Sequence, residues 1–130
     1  MLNNELLIEI SKQILSSIQT IEKRMKTIKA SEDFLKNDRN LERLDSICMQ
    51  LVALGESIKN LDKVTNKLLF KKYPEFEWKK AMGMRDVLSH HYFDLNSDIV
   101  FDVCINEIPK LKKIIKLILD SPNNPTIILP

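Results

Sequence analysis

The sequence predicts an all-α fold, an up-and-down bundle of about four to five helices. Leucine, isoleucine and lysine, which suit helices, are abundant, while glycine occurs only twice in 130 residues. That is too few glycines for a sheet protein rich in tight turns. Apolar residues recur at steps of three and four along several long segments, which is the pattern of amphipathic helices. A chain of this length is expected to form one domain with a core of its own.

The first helix is predicted from about residue 5 to residue 29. Its apolar stripe alternates steps of three and four and consists of Leu7, Ile10, Ile14, Ile18, Ile21, Met25 and Ile28. The segment Ser31-Glu32-Asp33 then offers an N-cap for a short helical turn. Phe34 and Leu35 are the expected apolar anchors of that turn.

A second long helix is predicted to follow, capped by Asp38 or Asn40. Its apolar face consists of Leu44, Ile47, Cys48, Leu51, Leu54, Ile58 and Leu61. Gly55 lies inside this helix, where glycine costs roughly 1 kcal/mol relative to alanine. A glycine at such a position suggests the close approach of another helix or a ligand. The favoured interpretation of Gly55 and Glu56 is tight helix packing beside a surface carboxylate.

The central segment follows a lysine-rich stretch, residues 62–73, that is expected to continue the helix or form a separate short one. Pro74 ends that stretch. Trp78 is the single tryptophan and is the expected core anchor of the next helix. With Ala81, Met82 and Val87 or Leu88 it recurs at helical spacing, which predicts a helix whose end lies at residues 92–96.

A last long helix is predicted after a cap at Asn96, Ser97 or Asp98. Its stripe consists of Val100, Val103, Cys104, Ile108, Leu111, Ile115 and Ile118. Pro109 falls inside the pattern and should kink the helix, because proline removes one backbone hydrogen bond. We expect the helical domain to span residues 1–120 and residues 121–130 to form a flexible C-terminal tail.

The two cysteines, Cys48 and Cys104, lie in apolar helical patterns far apart in the sequence. They are predicted to be small buried hydrophobic residues, and neither a disulfide framework nor a zinc site is expected. No apolar run approaches the length of a membrane span, and the N-terminus lacks the layout of a signal peptide. The expected setting is therefore cytoplasmic and reducing, without a membrane partner.

Basic residues are concentrated in one part of the chain. The formal net charge is +2, but residues 59–85 carry eight basic and three acidic groups. The segments on either side are slightly acidic. Such a block suits a polyanionic partner, although a solvated lysine-rich face gives the same pattern.

Residues 82–96 combine side chains that suit chemistry on a phosphodiester. Arg85 is always charged and can grip phosphate, and His90 can give or take a proton near neutral pH. Ser89, four residues after Arg85, shares its helix face. On an ideal helix His90 lies about 140° around the axis and about 7.5 Å along it from Arg85. The pair would converge on one phosphate only if the helix ends near His90, or if a second copy faces the first.

The apolar faces also favour a partner subunit. Several are wider than a strict two-in-seven seam, and a symmetric homodimer would cover the surplus most simply. The same dimer could bring two copies of the Arg85–His90 helix together across a two-fold axis.

The stretch from Gly55 to Leu111 resembles the HepT-like branch of the HEPN ribonucleases. The matching pieces are Gly55-Glu56 with Ile58-Lys59, Tyr73-Pro74 with Trp78, Gly83-Met84-Arg85, His90-x-Tyr92 and Pro109-x-Leu111. In helix order the likeness covers roughly residues 5–120. The resemblance implies a helical, metal-independent ribonuclease that acts as a toxin. It also implies a partner, a minimal nucleotidyltransferase encoded beside it as antitoxin.

For individual residues, the resemblance implies that Arg85 and His90 are the catalytic pair, contributed by both subunits to a cleft at the dimer interface. Tyr92 matches the tyrosine that receives AMP from the partner transferase. Asp86 stands where asparagine is frequent in relatives and, with Ser89, is a candidate supporting residue. The expected substrate is RNA, and no metal or other cofactor is expected.

Two other interpretations stay open. The chain could be a non-catalytic partner that holds nucleotide or positions a substrate for a separate nucleotidyltransferase, and Asp86 keeps this possibility open. It could also be a plain helical dimer in which residues 85–92 stabilise the interface. In that last case His90→Ala would cost stability, whereas a functional site predicts a folded but inactive variant.

Overall fold

The computed structural model describes residues 4–90 and 97–120, and these residues form helices and turns without a β-strand among them. The predicted all-α class is confirmed. The elements, in chain order, are α1 (Asn4–Met25), a 3₁₀ turn (Ser31–Leu35), α2 (Asp38–Val64), α3 (Leu68–Lys72), α4 (Trp78–Met82), α5 (Met84–His90), α6 (Ser97–Asp102), a π-helical segment (Val103–Glu107) and α7 (Ile108–Asp120).

The core lies between the long helices. α1 packs mainly against α2 and α7, and α2 also contacts α4 and α5. The seven apolar residues predicted for the face of α2 are all buried, and so is the α1 stripe except for Met25, which is half-buried. α1 itself ends at Met25, a turn earlier than predicted. Within the described residues, no helix combines the length and the apolar character needed to cross a membrane.

The residue that caps α2 differs from the prediction. Asn37, not Asp38 or Asn40, occupies the N-cap position. Its extended backbone (φ −158°, ψ 168°) brings the side-chain oxygen to the backbone N–H of Asn40, which donates to it at 2.8 Å. The Asn40 side chain donates instead to the Asp33 carbonyl oxygen at 2.8 Å and so ties α2 to the 3₁₀ turn.

A side chain of the 3₁₀ turn itself binds the backbone N–H groups just before the turn. Within the predicted capping segment it is Asp33 that acts, because its carboxylate accepts the backbone N–H groups of Lys29 and Ala30, at 2.8 and 3.1 Å. Phe34 is fully buried, as predicted, but Leu35 is 66% exposed and is not an anchor. In a tight turn, neighbouring side chains point in different directions, so only one of the two can reach the core.

The helix predicted around Pro109 is interrupted one turn before that residue. Val103–Glu107 is π-helical, and the Ile108 N–H donates to the Val103 carbonyl oxygen five residues back. Pro109 has no N–H to complete an α-helical turn, so a wider turn upstream accommodates it. α7 then continues to Asp120, where the sequence predicted the end.

Both cysteines are buried, as predicted, and both are free. Burial raises the pKa of the Cys48 thiol to about 11, with a smaller contribution from Asp45. It raises the pKa of the Cys104 thiol to about 12, with a smaller contribution from Cys48. Both side chains are therefore neutral at physiological pH and pack as small hydrophobic residues.

Candidate functional site

An aromatic cluster fixes where the central segment begins. Trp78 is 4% exposed and its indole N–H donates to the Tyr73 carbonyl oxygen at 2.7 Å. Its ring stacks on Phe70 with centroids 4.9 Å apart and meets Phe76 edge-on at 4.7 Å. These contacts hold α3, the turn at Pro74 and the start of α4 together. Trp78 is thus the core anchor that the sequence predicted.

Gly55 allows α4 to lie directly on α2. A Cβ atom at position 55 would lie 2.8 Å from the Ala81 carbonyl oxygen and 3.6 Å from that of Met82. The first distance is shorter than side-chain carbons tolerate, and the obstacle is backbone, which cannot swing away. The close approach predicted for this glycine is therefore made by another helix.

The second glycine separates α4 from α5. The Gly83 N–H closes α4 on the Lys79 carbonyl oxygen at 3.0 Å, and the Gly83 carbonyl accepts from the N–H groups of Asp86 and Val87. The single helix predicted through this region is thus two short helices that meet at Gly83. Leu88 faces the core at 5% exposure, whereas Val87 is 47% exposed. The new start of the helix brings Arg85 into the first turn of α5.

Arg85 reaches back to α2. Its Nη1 atom lies 3.2 Å from Oε1 of Glu56, and the Arg85 side chain is 58% exposed. The same carboxylate oxygen lies 3.7 Å from Nζ of Lys59. Two cations and one carboxylate therefore meet on the surface beside the Gly55–Ala81 contact, with a net charge of +1.

The other predicted site residues are placed only in part. Asp86 lies next to Arg85 in the first turn of α5 and is exposed. Ser89 and His90 belong to α5 by their backbone, and their side chains lie outside the described part of the structure. Tyr92 also lies outside the described residues. The roles assigned to these residues stay predictions.

The backbone of α5 fixes the relative positions of the Arg85 and His90 Cα atoms. Arg85 and His90 both lie in this helix. Five helical residues separate their Cα positions by about 140° around the axis and about 7.5 Å along it. Within one chain, the two Cα positions therefore lie on different sides of α5.

The segment that precedes the site carries many exposed basic side chains. The seven lysines between residues 59 and 80 are all exposed, namely Lys59, Lys63, Lys67, Lys71, Lys72, Lys79 and Lys80. Lys80 pairs with Glu77 at 3.3 Å, and Lys59 shares Glu56 with Arg85. In the described part of the chain, no group of three His, Cys, Asp or Glu side chains is arranged to hold a metal ion.

Comparison with known proteins assigns the family. The sequence model of the ribonuclease HepT-like family matches residues 14–118, which is most of the chain. The chain belongs to the ribonuclease HepT-like family. The matched range begins within α1 and ends within α7, so it includes part or all of every helix described above. The predicted family resemblance is confirmed.

Individual relatives agree with this family assignment. A protein of Caldanaerobacter subterraneus named "Putative RNase" is 38% identical over 106 residues, which cover 82% of this chain and 88% of the relative. One of Methanocaldococcus jannaschii with the same description is 34% identical over 90 residues, 68% of this chain and 69% of the relative. A "Probable ribonuclease HepT" of Thermococcus cleftensis is 29% identical over 99 residues, 76% and 83% of the two chains. No solved structure gives a significant match.

One residue of the site was not assigned by sequence reasoning. Glu56 was interpreted as a surface carboxylate beside a packing glycine, and it is the residue that holds Arg85. The sequence did contain one indication of this role. Glu56 follows Gly55, so it lies near the segment that packs against that glycine. The partner could not be identified from the sequence, because Arg85 is 29 residues away.

Proposed function

We propose that this chain is a metal-independent endoribonuclease in which Arg85 and His90 act on the phosphodiester. The observation that carries the proposal is the exposed Arg85 guanidinium in the first turn of α5, the helix that also contains His90. Membership of the ribonuclease HepT-like family supports it. The basic surface between residues 59 and 80 is suited to a polyanion such as RNA.

The chemistry follows from the groups in RNA itself. The 2′-hydroxyl is the nucleophile, so the protein must supply a base, an acid for the leaving 5′-oxygen and a cation for the charge on the phosphoryl group. His90 is the proposed base or acid, a role worth on the order of 10²–10⁴-fold. Arg85 is the proposed cation that orients and neutralises the phosphate. The products would be a 2′,3′-cyclic phosphate and a 5′-hydroxyl.

The proposed active site lies between two copies of the chain. The separation of Arg85 and His90 along α5 supports this arrangement, because about 140° around the helix axis lies between their Cα positions. A second α5 across a two-fold axis would present His90 of one copy near Arg85 of the other. Val87, an apolar residue 47% exposed on the same helix, would be covered in such a dimer.

The proposed regulation acts at Tyr92. AMP transferred there by a partner minimal nucleotidyltransferase, acting as antitoxin, would put a bulky anion two residues from His90. The anion would compete with the RNA phosphate for Arg85 and would obstruct the cleft. Protein that carries AMP on Tyr92 should therefore cleave RNA far more slowly than unmodified protein. Equal rates would contradict this part of the proposal.

A single modified substrate tests the cleavage mechanism. An RNA oligonucleotide that is cut at one site is compared, in EDTA, with the same oligonucleotide carrying hydrogen in place of the scissile 2′-hydroxyl. We expect cleavage only of the first, with a cyclic phosphate at the new 3′ end. Cleavage of both would exclude attack by the 2′-hydroxyl. Binding of both without any cleavage, by protein shown by mass to carry no AMP, would favour a non-catalytic nucleotide-binding partner.

A further inference from the structure

Glu56 and Arg85 form an ion pair between α2 and α5. In the described part of the chain, no other ion pair joins these two helices. Oε1 of Glu56 on α2 lies 3.2 Å from Nη1 of Arg85 on α5. The Arg85 side chain is 58% exposed and the Glu56 side chain is 43% exposed. The guanidinium is therefore tethered at one atom while much of its surface faces solvent.

The backbone at Glu56 is held in place by the packing of its neighbour. Gly55, the residue before Glu56, lies against the Ala81 carbonyl oxygen, and that contact fixes how α2 and α4 approach each other. α5 follows α4 after one residue, so the distance between the Glu56 and Arg85 backbones is set by the same contact. A carboxylate on so well-defined a backbone can hold a long, flexible arginine in one direction.

We propose that Glu56 is a positioning residue for Arg85, which it orients to receive a phosphate of the RNA substrate. This inference rests on the ribonuclease activity proposed above. It deepens that proposal by assigning a role to a residue 29 positions away from the motif.

The geometry favours positioning over competition with the substrate. A guanidinium has five N–H donors, and the contact to Glu56 involves one nitrogen and one carboxylate oxygen. Donors remain for the phosphoryl oxygens, so the tether can persist when RNA binds. Lys59 lies 3.7 Å from the same carboxylate oxygen, which leaves the group of three side chains with a net positive charge that attracts a phosphate.

The experiment compares Glu56→Gln with a matched control, Glu22→Gln. Glu22 has the same side-chain exposure, 43%, and a tighter ion pair, with Lys112 at 2.9 Å between α1 and α7. Steady-state cleavage of an RNA oligonucleotide is measured for both variants. We expect Glu56→Gln to lower kcat by about tenfold or more, because a misplaced catalytic group can cost up to about a hundredfold, with a much smaller change in KM. Glu22→Gln should match the wild type in both.

A second measurement follows Arg85 without any reaction. The chain has four arginines, Arg24, Arg39, Arg43 and Arg85, so the Nε–H signal of Arg85 can be identified by NMR with an Arg85→Lys variant. We expect Glu56→Gln to increase the motion of this Arg85 group and Glu56→Asp to restore part of its order and part of kcat. A residue that only stabilised the fold would change the melting temperature and leave the folded protein's kcat unaltered.

Two results would overturn the inference. An unchanged kcat together with an unchanged Arg85 signal would mean that Glu56 has no role. A lower KM with a higher kcat in Glu56→Gln would mean that the carboxylate competes with RNA for Arg85.

The proposed function can fail separately. If wild-type protein and Arg85→Ala both leave the RNA intact, the ribonuclease proposal fails. The NMR signal, recorded with and without a non-cleavable 2′-fluoro oligonucleotide, then decides whether Glu56 orders Arg85 toward a phosphate. If Glu56→Gln leaves the motion of the Arg85 group unchanged, and the Arg85 signal does not respond to the oligonucleotide, the positioning inference fails as well.

Discussion

Gly55 and Glu56 are neighbours on α2, and they hold the central segment in opposite ways. Gly55 is buried and its contact is backbone against backbone, with the Ala81 carbonyl oxygen where a side chain would begin. Glu56 is partly exposed and its contact is one ion pair at the surface, at 3.2 Å from Arg85. The first contact cannot change without moving a helix, whereas the second can form and break by rotation of side chains.

The difference separates stability from function within two residues. Packed backbone contacts are sensitive to a single methyl group, while exposed ion pairs contribute roughly 0–1 kcal/mol. Gly55 therefore determines where α4 and α5 lie, and Glu56 determines how one side chain is presented. We expect substitutions at the two positions to affect different measurements.

The largest effect on stability is expected from Gly55→Ala. The new methyl group would meet the Ala81 carbonyl oxygen at 2.8 Å, and overpacking of this kind costs about 1–3 kcal/mol. That cost should exceed the gain of about 1 kcal/mol from replacing glycine in a helix. Chemical denaturation of the variant measures the net loss in the free energy of unfolding.

The second glycine is the control for this prediction. At Gly83 the nearest heavy atom to an added Cβ is the Lys79 carbonyl oxygen at 3.4 Å, an ordinary contact, and φ is −80°. Gly83→Ala should therefore leave stability unchanged or raise it by up to about 1 kcal/mol. Equal stability of the two alanine variants would contradict the role given to the Gly55 contact.

A smaller effect on stability is expected from Asp33→Asn. The Asp33 carboxylate is held by two backbone N–H groups and by Lys36. The side-chain contact with Lys36, followed by the backbone N–H groups of Lys29 and Ala30, lowers the pKa of Asp33 from 3.8 to about 2. Because the folded-state pKa lies below the unfolded one, the stabilisation is present above pH 3.8 and is lost as the pH falls through about 2. Thermal unfolding between these pH values should show a steeper loss for the wild type than for Asp33→Asn. Identical pH profiles would exclude this contribution.

The smallest effect on stability is expected from the Glu56–Arg85 pair. In a double-mutant cycle with Glu56→Gln and Arg85→Gln, the coupling free energy should lie at roughly 0–1 kcal/mol and shrink in high salt. The reason is that both side chains are about half exposed. A coupling of several kcal/mol would show that the pair is part of the folding energetics, and the contrast with Gly55 would be lost.

The sequence predicted the features that depend on periodicity. The stripes of α1 and α2 and the anchor at Trp78 follow from spacing and residue type, and the structure buries them apart from the half-buried Met25. A glycine inside an amphipathic helix likewise predicted the close approach at Gly55. Features of this kind are local or statistical, so a single chain contains enough information to predict them.

Features that depend on competition between nearby polar groups were harder to predict. Asn37, and neither Asp38 nor Asn40, caps α2, and the sequence did not show which residue of Ser31-Glu32-Asp33 would accept the N–H groups at the 3₁₀ turn, a role that Asp33 takes. The break at Gly83 and the partner of Arg85 depend on how α4 lies against α2, which no local pattern contains. The Arg85 to Tyr92 signature was recognised through its resemblance to a family, and the roles of its residues stay predictions.

The most direct test of the central claim is the cleavage of total cellular RNA in EDTA by unmodified wild-type protein, Arg85→Ala and His90→Ala, with matched circular dichroism. We expect cleavage by the wild type and a loss in both variants, because each removes one of the two groups proposed to act on the phosphate. Cleavage by all three proteins at the same rate would contradict this expectation and would place the reaction away from α5.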